Sequence, residues 1–127
     1  MNLKWKGLWV AAAVLALAGC DVIAPPPTPT LPPQAAQGRQ VFERTCSTCH
    51  SAAPDTIVVG PSLSGIATRA GTRIPGLDAE AYIRDSIMNP DAYTVEGFRE
   101  GLMPAAVFES LSTEEFEAVV DYLMTLK

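Results

Sequence analysis

At 127 residues the chain is long enough for one small domain. Nine lysines and arginines against fourteen aspartates and glutamates give a net charge of −5 at pH 7, the wrong sign for a phosphate backbone, so nucleic acid is excluded as a partner. Three cysteines and a single histidine bound the metal and redox chemistry open to it.

The chain begins as an export signal. Lys4 and Lys6 precede an unbroken apolar run from Leu8 to Ala18, which is too short to span a bilayer as a helix. Residues 1–19 are therefore set apart from the fold as a signal peptide to be removed. The following Leu17-Ala18-Gly19-Cys20 resembles the lipobox of bacterial lipoproteins. That resemblance implies cleavage before Cys20 and acylation of its sulfur, and so an extracytoplasmic, lipid-anchored protein. An uncleaved anchor, or an incidental cysteine in an ordinary signal peptide, is the alternative. Loss of the two lysines leaves seven basic against fourteen acidic residues, a mature charge near −7. A docking partner is then expected to be basic where the two surfaces meet, although acidity also serves plain solubility.

Residues 20–36 read as a tether. Ala24 to Gln34 holds six prolines, a composition that builds no core and favours extended polyproline II. Over Asp21 to Ala36 that conformation reaches on the order of 50 Å. Composition becomes globular from Ala35, and residues 37–127 form the expected domain. A short helix is expected over Ala35 to Thr45, with Gly38, Val41 and Phe42 on one side.

That helix runs into Cys46-Ser47-Thr48-Cys49-His50, two thiols two residues apart with a histidine directly after. This is the attachment pattern of a c-type haem. Each thiol can add to one vinyl group of the porphyrin, and the adjoining imidazole is then held at the iron. A redox dithiol and half of a zinc site are the alternatives. Zinc needs two further ligands, and beyond the motif only Cys20 remains and no second histidine. A dithiol of the thioredoxin kind calls for a βαβ context, which the pattern lacks.

Ser51 to Gly76 is dense in glycine and proline and reads as loop, with at most a turn of helix around Leu63 to Thr68. Asp78 is placed to cap a helix from Ala79 to Met88 that buries Tyr82, Ile83 and Ile87, and Asn89-Pro90 ends it. Pro90 to Gly101 is a second loop. Ser112 and Glu115 form a capping box for a last helix, in which Phe116, Val119, Val120, Leu123 and Leu126 recur at helical spacing. No stretch alternates as a strand does. The fold class is all-α: three main helices with long loops in about 91 residues, a core that would be marginal by itself. Loops of this length in so short a chain imply that something fills the middle, and a covalent haem supplies it.

With one histidine, a second axial ligand must be a methionine, a rarer group, or absent. Met124 falls inside the last helix and Met88 closes the middle one, and packing is the expected role of both. Met103 lies in a loop stiffened by Pro104 and can be presented to a metal without unwinding a helix. Methionine opposite histidine favours ferrous iron and raises the potential.

From Gln37 to Lys127 the sequence resembles the class I cytochromes c. Gly38 and Phe42 match that family's first helix, whose glycine admits a close crossing by the last. Cys46, Cys49 and His50 match its haem attachment. Gly60-Pro61-Ser62-Leu63 matches the segment in which the proline carbonyl accepts a hydrogen bond from the proximal imidazole. Gly101-Leu102-Met103-Pro104 matches the distal methionine loop, and Val119, Tyr122 and Leu123 the closing helix. Ser86-Ile87-Met88-Asn89-Pro90 through Pro104 is similar to domains associated with respiratory oxidases. The tryptophan that contacts a haem propionate in many members is absent, and Tyr93, Arg69 and Arg73 are the substitutes on offer. The resemblance implies one haem c, held through Cys46 and Cys49 with His50 and Met103 on the iron, and electron transfer to redox-protein partners in a respiratory chain. No enzyme activity and no small-molecule substrate are expected. A haem subunit within one oxidase or dehydrogenase complex is a variant of the same function. A ligand sensor or peroxidase would require an open distal site and an acid–base residue there, for which only Glu96 and Glu100 offer themselves.

Overall fold

The computed structural model describes residues 30–127. The signal segment, Cys20 and the tether as far as residue 29 lie outside them. Five α-helices, with one π turn and one 3-10 turn between them, follow in order among the described residues, and the expected three carry the core.

Helix α1 covers Pro33–Val41, two residues earlier than expected, so residues 33–36 belong to the helix and not to the tether. The reason is local. Proline at the first helical position lacks only a donor that would have no partner there, and its fixed φ suits the helix. Pro32 just before it keeps an extended backbone, with φ −51° and ψ 147°. Ala35, Gly38 and Val41 are buried, and the chain continues as one widened turn of π-helix, Phe42–Cys46, that buries Phe42. A Cβ at Gly38 would lie 1.7 Å from the Ala118 carbonyl oxygen, so only glycine lets α1 meet the last helix backbone to backbone.

Helix α2 covers Ile66–Arg69 and runs on as a 3-10 turn, Ala70–Thr72. It starts later than the turn expected around Leu63, because Gly65 sits in the left-handed region at φ 70° and marks the boundary. Helix α3 is Ala79–Met88 as expected, with the Asp78 carboxylate accepting from the Ala81 N–H at 2.8 Å. It buries Tyr82 and Ile83 and half-buries Ile87, and Asn89 before Pro90 closes it. A short helix α4, Ala106–Glu109, was not foreseen. It has no side-chain cap and no buried residue, and hence no periodic signal.

Helix α5, Thr113–Thr125, carries both halves of the expected capping box between Ser112 and Glu115. Its buried face holds Phe116, Val119, Val120, Tyr122 and Leu123, and Phe42 of the π turn meets Tyr122 with ring centroids 5.4 Å apart. Arg84 on α3 reaches Glu117 on α5 through two bonds of 2.8 and 2.5 Å, and the guanidinium lies over the Phe116 ring. The Ala67 N–H donates to the Leu126 carbonyl, tying α2 to the end of the chain. Among the described residues no named strand occurs. An isolated bridge pairs His50 with Ile57. None of these helices is long and apolar enough to cross a membrane.

Candidate haem site

The π turn delivers Cys46, and Cys49 N–H and His50 N–H both donate to the Cys46 carbonyl at 3.1 and 2.9 Å. The motif is thus one tight turn continuing α1. Cys46, Cys49 and His50 all line a cavity of about 340 Å³ whose walls are mostly apolar, with Leu63, Ile66, Ile83 and Leu123 among them. That is within the size range of small-molecule and cofactor sites.

His50 is held from behind. Its Nδ1 lies 2.9 Å from the Pro61 carbonyl oxygen, which can only accept, so Nδ1 donates to it and Nε2 is the nitrogen not engaged by that bond. The neighbouring Gly60 is equally necessary, since a Cβ there would lie 2.5 Å from His50 Cε1. Val59 and Gly60 N–H groups both donate to the Cys49 carbonyl, at 3.1 and 2.8 Å, so the segment that braces the ring is laced to the motif itself. Sequence reasoning carried Pro61 forward as a site residue and left out Gly60, whose signal was its place directly before that proline.

The loop between α3 and α4 contributes to the same cavity. Met103 lines the cavity, as do Leu102 and Pro104. Met88 and Met124 do not. Met124 packs half-buried against the core as expected, but Met88 is 38% exposed, so its expected packing role is corrected: it ends α3 beyond the face that Tyr82 and Ile83 bury. Glu96 and Glu100, the carboxylates considered for distal acid–base work, are exposed and do not line the cavity, whereas Asp91, not foreseen, does.

Arg69, Arg73 and Tyr93 share one edge of the cavity. The Arg69 guanidinium donates to the carbonyls of Ser62 and Ser64, and Arg73 lies over the Tyr93 ring at 5.9 Å. Burial, and then the charge of Arg73, lower the Arg69 pKa. Neither arginine joins an ion pair among the described residues.

A sequence profile of the cytochrome c family matches residues 35–127. The chain belongs to the cytochrome c family. Its cofactor is haem c, with Cys46 and Cys49 in the attachment spacing. Among solved structures it is similar to an engineered cytochrome c from Rhodothermus marinus bound to a carbene intermediate, with 26% identity over 81% of this chain and 89% of that one and a TM-score of 0.46. No curated protein sequence matches.

The residues of this cytochrome c fit the group. Burial, and next the charge of Cys49, push the Cys46 thiol up to about 11, the reverse of the depressed value a redox dithiol requires. No cluster of three or more histidine, cysteine, aspartate or glutamate side chains occurs among the described residues, so zinc finds no second pair of ligands. An apolar hollow with one braced imidazole on one wall and one thioether on another, and two guanidiniums without carboxylate partners at the rim, suits a flat apolar macrocycle with an iron centre and two carboxylates.

Proposed function

We propose that this cytochrome c is a one-electron carrier tethered to the extracytoplasmic face of the bacterial cell membrane, with His50 and Met103 as the axial ligands of its haem. The observation that carries the proposal is that the single histidine and one methionine line the same cavity, the histidine ring fixed by Gly60 and Pro61. Bound haem supplies a one-electron Fe(III)/Fe(II) couple, and a methionine opposite histidine favours the ferrous form.

The chain's own residues divide the remaining work. The Pro61 carbonyl sets the His50 tautomer, which leaves Nε2 as the donor atom. Pro104 stiffens the loop that offers Met103. Arg69 and Arg73, beside Tyr93, answer the negative charge of the propionates in place of the missing tryptophan. Ile57, Val58 and Val59 stand 67%, 51% and 45% exposed, Ile57 bridged to His50 and the Val59 N–H bonded to the Cys49 carbonyl. They give the attachment edge a small apolar lip suited to brief contact with a redox protein. An acidic chain favours a basic rim on that protein.

Acylation at Cys20 and a stiff proline-rich spacer would keep the domain near the membrane while leaving it free to turn toward its partners. The lining carboxylate, Asp91, accepts from the Gly101 N–H at 2.8 Å, which supports a structural part for it in a carrier.

The matured protein is tested by its visible and near-infrared spectra, oxidised and reduced, with and without carbon monoxide. A sulfur-to-iron band in the oxidised form and indifference of the reduced form to carbon monoxide support the carrier. M103A should abolish the band and admit carbon monoxide. A wild type that binds carbon monoxide promptly would overturn Met103 as ligand and favour a sensor or enzyme.

A further inference from the structure

The loop that carries Met103 is long and sparsely bonded. From Pro90 to Met103 two of its hydrogen bonds are local turns, Ala92 N–H to Asn89 O at 2.9 Å and Phe98 N–H to Val95 O at 3.0 Å. Gly97 and Gly101 are both left-handed, at φ 87° and 71°, with open space around each, so backbone conformation and not packing requires glycine there. Among the described residues one hydrogen bond bridges the two arms: the Gly101 N–H donates to Asp91 Oδ1 at 2.8 Å. Asp91 lies in the turn that follows α3, directly after Pro90, where the Ala92 N–H is bonded back to the Asn89 carbonyl. Gly101 lies two residues before Met103. The bond therefore ties the α3 end of the loop to the arm that carries the thioether.

We propose that Asp91 is a positioning residue for the distal ligand, whose carboxylate closes the loop and holds Met103 over the iron. This rests on the reading of Met103 as that ligand. Closing ten residues costs chain entropy at each excursion of the loop, and a bond at the neck removes most of that freedom in advance. Without it the loop opens more often, and an outside ligand competes better for the vacated position. The charge of Asp91 is not required, because an amide oxygen accepts the same bond.

The test uses the oxidised holoprotein and imidazole as the competing ligand, at a temperature well below unfolding so that general loss of stability does not enter. D91A is expected to bind imidazole about five- to tenfold more tightly than wild type while keeping a sulfur-to-iron band in its absence, as befits the loss of one hydrogen bond. D91N should stay within about twofold of wild type. Should D91A give no holoprotein, D91S, whose hydroxyl is too short to span to Gly101, carries the same expectation. Equal affinity of D91A (or D91S) and wild type overturns the proposal, as does an asparagine variant as weakly closed as the alanine one. If wild type itself lacks the band and binds imidazole like M103A, Met103 is not the ligand and the parent reading fails with it, a result distinct from either of the others.

Discussion

At position 60 a methyl group and the His50 ring compete for one space, because a Cβ there stands 2.5 Å from Cε1 and 3.0 Å from Nδ1. The ring cannot retreat without giving up its 2.9 Å bond to Pro61. G60A is expected to destabilise the holoprotein by about 1–3 kcal/mol, read as a lower denaturant midpoint at unchanged slope. The same residue shows what a sequence discloses at this scale. Cys46, Cys49 and His50 were legible because covalent chemistry fixes their spacing. Met103 was singled out because Pro104 follows it in a loop that also holds Gly101, where Met88 and Met124 sit at helical positions, and it lines the cavity. Gly60 was visible only as the residue before Pro61, since its contact with His50 is made ten residues away in the chain with no period to announce it. Asp91 was passed over for a similar reason: nothing about an aspartate after Asn-Pro reveals that its partner is a backbone N–H at Gly101.

Among the elements, α5 is the best defined by its own sequence. Ser112 accepts from the Glu115 N–H at 3.2 Å, and Glu115 returns the bond to the Ser112 N–H at 3.0 Å. S112A removes the first of these and is expected to cost about 1 kcal/mol, measurable by chemical denaturation. Charge also joins α5 to α3. The hydrogen bond from Arg84 holds the Glu117 carboxyl below the ordinary carboxylate value. A carboxylate whose folded pKa is depressed contributes stability above its unfolded value, near 4.5, and loses it as pH falls through the folded one. Wild type should therefore melt above E117Q at pH 6, and the two melting curves should draw together toward pH 3. Helices α3 and α5 were readable from caps and apolar spacing. The π turn and α4 were not, because a single widened turn and a four-residue helix are set by what packs around them, and neither leaves a repeat in the sequence.

For the whole molecule, the sequence indicated three helices with too little core and loops too long for their number, which is the signature of a fold completed by something other than protein. Apolar side chains from α2, α3, α5 and both loops line the cavity. A C46A/C49A chain, unable to hold haem covalently, is expected to lose its cooperative thermal transition and most of its helical circular dichroism signal. Retention of both would mean that the helices suffice alone. The boundary of the domain was less legible than its interior, since Pro33 serves equally well as the end of a proline-rich spacer and as the first residue of α1.

The crossing at Gly38, where α1 lies against the Ala118 carbonyl, fastens the beginning of the domain to its end. As the chain emerges from a ribosome or a translocation pore, α1 is out before α5. Until the final helix is out, α1 lacks the surface it packs on and cannot settle. Cys46, Cys49 and His50 are thus made before the helix that closes the crevice around them, and the order of synthesis itself holds that crevice ajar until α5 arrives.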